Sequence, residues 1–183
     1  MRVYFNEFNP SSFNRAYLPC VSGKLRGHAE SSEKVLLNYS FQPFLFRIQP
    51  AQEIISEYDN PQVAAFSCMM WNEQLCLTVA REIKKAWPKC LIIFGGTQVP
   101  HDVAPFMKKH DFIDVCVINE GEEPFKAILE RYVDSAEFSG IANTFWRDAN
   151  SGKIVCNQDA SSFEKDLDAY PSPYLNGYCD YLI

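Results

Sequence analysis

Between Pro61 and Phe125 the chain alternates short, unbroken apolar runs with stretches of helical period. Val63-Ala64-Ala65-Phe66, Cys90-Leu91-Ile92-Ile93-Phe94 and Phe112-Ile113-Asp114-Val115-Cys116-Val117-Ile118 lack polar alternation, as strands covered on both faces should. After the first run, Leu75, Val79, Ile83 and Ala86 recur at three- and four-residue spacing, with Glu73, Arg81, Glu82, Lys84 and Lys85 mainly opposite. That predicts a helix over about residues 72–87, ended by Pro88. A short helix over about 102–110 follows the second run. Another, over about 123–132 with Phe125, Ile128, Leu129 and Tyr132 inward, follows the third. Successive β-loop-α units with right-handed connections predict a parallel sheet whose loops share one carboxyl edge.

The flanks carry weaker signals. Val3-Tyr4-Phe5 and Val35-Leu36-Leu37 read as strands, and Pro50 to Tyr58 as an amphipathic helix through Ile54, Ile55 and Tyr58. Thr144-Phe145-Trp146-Arg147 and Lys153-Ile154-Val155-Cys156 flank the turn signal Asn150-Ser151-Gly152 and predict a hairpin. Asp166 to Tyr174, with Pro171 and Pro173, reads as an extended connector. The expected organisation is an α/β domain over residues 1–135, a Rossmann-like (flavodoxin-like) doubly wound parallel sheet with helices on both faces. A hairpin and linker over residues 136–183 follow it.

Composition narrows the function. A formal charge of -6, with basic clusters only at Lys84-Lys85 and Lys108-Lys109, argues against a nucleic-acid or anionic-membrane partner. Both lysine pairs read as solvated helix ends. No apolar stretch reaches the roughly 18 residues a membrane span needs, and the start lacks a signal-peptide pattern, so a cytoplasmic protein is expected. Seven cysteines, an odd number without CxxC spacing, fit reduced thiols rather than a disulfide framework, a zinc site or an iron–sulfur site. Cys90 and Cys116 fit small buried hydrophobes. His28, His101 and His110 are isolated, and no catalytic residue or metal ligand is expected.

Chemistry belongs in the loops at the carboxyl edge, where helix N-termini and glycines admit a ligand. Ser67-Cys68-Met69-Met70-Trp71-Asn72, Gly95-Gly96-Thr97-Gln98-Val99-Pro100 and Asn119-Glu120-Gly121-Glu122 qualify. Ser67 and Thr97 offer hydroxyls, Asn72 and Gln98 amides, and Trp71 a flat apolar surface. Each has a plainer reading. Asn72 can cap the helix it opens, Trp71 can pack a helix on the sheet, and Gly95-Gly96 can serve a turn. Glu120 and Glu122 can be an acid–base pair or can complement a helix dipole. The GxGxxG spacing of a nicotinamide site is absent.

Phe66-Ser67-Cys68-Met69-Met70-Trp71-Asn72, Ala80-Arg81-Glu82-Ile83-Lys84, Ile93-Phe94-Gly95-Gly96-Thr97-Gln98-Val99-Pro100 and Asn119-Glu120-Gly121-Glu122-Glu123-Pro124-Phe125 together resemble the N-terminal cobalamin-binding domain of radical-S-adenosylmethionine proteins. Tyr17-Leu18-Pro19 ahead of Gly23 is similar to that family's first loop. Asp166-Leu167-Asp168 with Pro171-Ser172-Pro173-Tyr174-Leu175 is similar to its linker toward the radical barrel. Thr97 departs from the proline the family often has after the glycine pair. The resemblance implies a flavodoxin-like sheet holding cobalamin at its carboxyl edge, the nucleotide tail between the loops of Ser67 and Gly95. Cofactor contacts would come from Tyr17, Leu18, Pro19, Ser67, Cys68, Trp71, Asn72, Gly95, Gly96, Thr97, Gln98, Val99, Glu120, Gly121 and Glu122. It also implies methyl transfer or related radical chemistry in a parent protein whose radical domain, with S-adenosylmethionine and [4Fe-4S], lies beyond Ile183. No DxHxxG loop is present and Asn9 to Gly23 contains no histidine, so base-off cobalamin without a protein histidine on cobalt is expected, its lower face shielded by Tyr17 or Leu18. A receiver-like signalling domain and a nucleotide- or flavin-binding domain remain open on the same sheet edge.

Overall fold

The computed structural model describes residues 1–12, 15–157 and 170–182. Along them run β1 (Arg2–Asn9), β2 (Ser11–Ser12), β3 (Arg15–Ala16), α1 (Cys20–Ala29), α2 (Glu33–Asn38), β4 (Ser40–Phe41), β5 (Leu45–Arg47), α3 (Ala51–Ser56) and β6 (Val63–Ser67). Then come α4 (Glu73–Ala86), β7 (Leu91–Gly95), α5 (Val103–Lys109), β8 (Val115–Val117), α6 (Glu122–Tyr132), β9 (Thr144–Arg147), β10 (Ile154–Asn157) and a 3-10 turn, Asp180–Leu182.

The main sheet has the order β10-β9-β8-β7-β6-β1-β4, with β5 also paired to β1. From β4 to β8 every pairing is parallel. Strand alternation explains the unbroken apolar runs. Ala64, Phe66, Ile92, Phe94 and Cys116 face one core with Ile83 of α4 and Met107 of α5, while Val63, Ala65, Leu91, Ile93, Val115 and Val117 face the other with Phe125 and Ile128 of α6. Both faces are covered, so no position needs to be polar. This is the doubly wound α/β architecture expected.

Two local readings change, the strand over Val35-Leu36-Leu37 and the solvated Lys84, and two gain detail. Val35-Leu36-Leu37 lies in α2, because only Val35 is buried and the next inward residue is Tyr39, one turn on, whose hydroxyl donates to Leu129 O at 2.8 Å. A strand would have to bury alternate residues, whereas Leu36 and Leu37 are both exposed. The hairpin forms, and it also joins the sheet: β9 runs antiparallel to β8, Val115 opposite Trp146. Lys84 is not merely solvated, since its ammonium bonds both Asp114 carboxylate oxygens at 2.9 and 2.7 Å and Cys90 O at 2.9 Å. Asp166 to Ala169 of the expected connector lie outside the described residues, and Pro171 and Pro173 pack on α1.

All seven cysteines are unpaired, and Cys68, Cys76, Cys90, Cys116 and Cys179 are buried. Burial pushes the Cys90 thiol up to about 12. Among the described residues no helix is long and apolar enough to cross a membrane.

Candidate functional site

A cavity of about 550 Å³ opens at the carboxyl edge. Phe5, Ala65, Ile93 and Val117, one each from β1, β6, β7 and β8, form its floor. Val21, Ser22 and Leu25 of α1 and Phe125 of α6 close it from the other side, and its mouth carries Ser67, Gly95 to Thr97 and Asn119 to Glu122. The cavity spans the point where the chain has wound both ways from β1, to β4 and β5 on one side of that strand and to β6 on the other. That switch point is where open α/β sheets bind ligands.

Ser67 ends β6 on the cavity wall, is 7% exposed, and its Oγ has no hydrogen-bond partner among the described residues. A buried hydroxyl left unpaired is unfavourable unless a ligand satisfies it. Gly96 lies at φ +101°, and a Cβ there would sit 2.4 Å from Cys68 O and 2.9 Å from Cys68 N. Its freedom is therefore needed for loop-to-loop packing, which Cys68 N–H donating to Gly95 O at 2.7 Å and Gln98 N–H donating to Cys68 O at 3.1 Å complete. Gly95 differs: a Cβ there would meet nothing closer than Val117 O at 3.8 Å, on the cavity side.

Asn72 holds the N-cap position of α4 without making a cap bond. Its Oδ1 accepts from Met69 N–H at 2.8 Å, and its Nδ2 donates to Phe8 O at 3.1 Å and Ser67 O at 3.0 Å. At 1% exposure it staples the ends of β1 and β6. Trp71 donates its indole N–H to the same Phe8 carbonyl at 3.1 Å and leaves its ring 51% exposed on that edge.

Of the residues expected at the site, Ser67, Gly95, Gly96, Thr97, Val99, Glu120, Gly121 and Glu122 line the cavity. Cys68 and Asn72 are buried beneath it, and Gln98 and Trp71 stand on the edge loops outside its lining. Tyr17, Leu18 and Pro19 lead into α1; Tyr17 is exposed, and Pro19 O accepts Gly23 N–H at 3.0 Å. Glu122 Oε2 accepts its neighbour Gly121 N–H at 3.1 Å, a contact at the start of α6 in keeping with the dipole reading.

The sequence reading overlooked α1 and Glu7. Glu7 is buried near the end of β1 and its carboxylate accepts Ser22 N–H at 2.7 Å and Val21 N–H at 3.4 Å, anchoring the α1 N-terminus. Burial holds its carboxyl above the ordinary glutamate range, against the pull of those hydrogen bonds. A single carboxylate within the otherwise β-like Val3 to Phe8 was the available signal. Of the histidines, His101 stands at the cavity mouth; His28 Nε2 lies 2.7 Å from Glu123 Oε1 between α1 and α6. His110 follows α5, and burial together with Lys109 and Arg81 holds it below the ordinary histidine range. No group of His, Cys, Asp or Glu among the described residues is arranged to hold a metal ion.

Residues 23–129 match the B12 binding domain family. The chain is 33% identical over 180 residues to the cobalamin-dependent radical SAM methyltransferase TokK of Streptomyces tokunonensis, covering 98% of this chain and 25% of that protein. It shares the same identity and coverage with the 2-(S-pantetheinyl)-carbapenam-3-carboxylate methyltransferase of Streptantibioticus cattleyicolor. The chain thus spans about a quarter of the length of these relatives. In fold it is similar to the radical S-adenosylmethionine methyltransferase TsrM from Kitasatospora setae, at TM-score 0.55 and 14% identity over 81% of this chain and 28% of that one.

Proposed function

The chain belongs to the B12-binding domain family, and from that premise we propose that it holds cobalamin at its carboxyl edge as the cofactor module of a larger radical S-adenosylmethionine methyltransferase. The observation that carries the choice of site is the unpaired Ser67 hydroxyl on the wall of the cavity. The cavity takes the nucleotide tail, with the Ser67 hydroxyl free to bond one of its polar atoms. Gly95, Gly96, Thr97, Val99, Glu120, Gly121 and Glu122 line its path. Cys68, Asn72 and Gln98 act one step back by fixing the loops. The exposed ring of Trp71 offers the corrin an apolar surface, Tyr17 or Leu18 shields its lower face, and the buried Pro19 leads the chain from that loop into α1.

Cobalamin supplies a metal centre able to take up and pass on a methyl group. The residues of this chain bind and orient; bond breaking, S-adenosylmethionine and [4Fe-4S] belong to a radical domain of the same polypeptide. The greater length of the two relatives, and their being methyltransferases by name, support that division.

Incubation with hydroxocobalamin, desalting and a visible spectrum test the assignment. Wild type should retain the cofactor, and Ser67→Ala should bind it about 10-fold more weakly, the loss of roughly one hydrogen bond. The cofactor-free variant should be no less stable than wild type, because the hydroxyl it lacks had no partner to lose. Equal retention by Ser67→Ala, or none by wild type, defeats the reading.

We further infer that cobalamin binds base-off with no protein imidazole on cobalt. His28 is engaged with Glu123, and His110 follows the end of α5, where the chain turns back toward the amino edge of the sheet. The paramagnetic resonance spectrum of the bound cob(II)alamin should lack the threefold splitting that an axial nitrogen imposes. A triplet that vanishes on replacing His101, the histidine at the cavity mouth, would refute this.

A further inference from the structure

The cavity wall α1 is covered on its far side by the segment 170–182, which lies outside the matched residues 23–129. Val21, Ser22 and Leu25 face the cavity, whereas Gly23, Arg26, Gly27 and Glu30 recur at three- and four-residue spacing on the opposite side of the helix. The segment runs along that side. A Cβ on Gly23 would lie 2.4 Å from Pro173 Cβ, and one on Gly27 would lie 3.2 Å from Tyr178 Cε2 and 3.3 Å from Pro171 Cβ. Tyr178 donates its hydroxyl to Glu30 Oε2 at 2.5 Å and carries the Arg26 guanidinium 4.5 Å from its ring centre. Tyr181 Oη accepts Phe44 N–H at 2.8 Å, and Cys179 is fully buried in the core beneath.

We propose that this segment is a strap that positions the α1 wall of the cofactor cavity, with Pro173 and Tyr178 as its positioning residues. The two glycines are otherwise unfavourable inside a helix, so their role is to let the strap sit close. With Glu7 holding the first turn and the strap holding the back, Val21, Ser22 and Leu25 are kept over the sheet at the width the cavity shows. The reference to a cofactor rests on the reading above; the effect of the strap on α1 does not.

Gly23→Ala separates the strap from helix propensity, because alanine favours the helix while its Cβ cannot coexist with Pro173 where it lies. Hydrogen exchange of the cofactor-free protein should show α1 amides exchanging about 10-fold faster in Gly23→Ala than in wild type, since exchange reads local opening. Hydroxocobalamin retention should weaken by about 3-fold, a modest cost because the wall is loosened and not removed. Adding Pro173→Gly, which removes the opposing Cβ, should restore both readings in part, because the strap can seat again on Tyr178 although Pro173 no longer braces the helix. Tyr178→Phe, which creates no clash, should raise α1 exchange in the same direction through loss of the bond to Glu30. Unchanged or slower α1 exchange in Gly23→Ala overturns the positioning role. Failure of wild type to retain cobalamin overturns the cofactor reading and leaves the exchange result to decide the strap.

Discussion

Gly96→Val should abolish cobalamin retention, lowering affinity by about 100-fold or more, and should cost the domain about 2–4 kcal/mol of stability. The first Cβ atom already collides with the Cys68 backbone, and valine is among the residues least able to occupy φ +101°. Relief requires the glycine loop and the β6 loop to part. That breaks the Cys68 N–H bond to Gly95 O and the Gln98 N–H bond to Cys68 O, and spreads the cavity mouth. Gly95→Ala is the matching control. Its Cβ meets only ordinary contacts and projects toward the cavity, so stability should hold while retention falls. Spectra after desalting and urea unfolding of both variants check this; wild-type retention by Gly96→Val would remove the glycine loop from the site.

Asn72→Ala should lower stability by about 2–4 kcal/mol, because one small side chain satisfies Met69 N–H, Phe8 O and Ser67 O together. Phe8 O keeps its bond from the Trp71 indole, while the other two groups lose the Asn72 amide. Asn72→Asp should be worse than alanine despite its similar shape. It preserves the acceptor toward Met69 but sets carboxylate oxygen against two carbonyls inside the protein. The order wild type, alanine, aspartate in urea midpoints at neutral pH is the expected result. Equal midpoints for asparagine and alanine would mean that the staple is idle.

The central β-loop-α units were legible because burial on both faces writes itself as unbroken apolar runs, and Leu75, Val79 and Ile83 mark the helix between two of them. Helix α1 was not legible for a physical reason. Gly23 and Gly27 argue against a helix when judged by propensity, and what they permit is contact with Pro173 and Tyr178, about 150 residues away in sequence. The α2 error came from the same limit: Val35-Leu36-Leu37 has strand-like composition, and only the partner surface shows that Val35 alone turns inward. At the site, turn-forming and hydrogen-bonding residues pointed to the mouth of the cavity. Its interior escaped notice since Phe5, Ile93, Val117 and Phe125 are, by type, indistinguishable from other core residues.

The cavity also changes character along its length. Deep in it, Phe5, Ile93, Val117 and Phe125 present hydrocarbon, whereas Thr97, Asn119, Glu120 and Glu122 gather at the opening. Such a polarity gradient sorts the ends of any amphipathic guest by partition, before a single hydrogen bond is made. Entry with the polar end first would strand that end against aromatic walls, at about 1–3 kcal/mol for each unpaired group. Departure is governed by the same gradient, because every 100 Å² of hydrocarbon drawn back into water costs about 2.5 kcal/mol. A guest that has entered the right way round is therefore held by a slow exit as much as by any one contact.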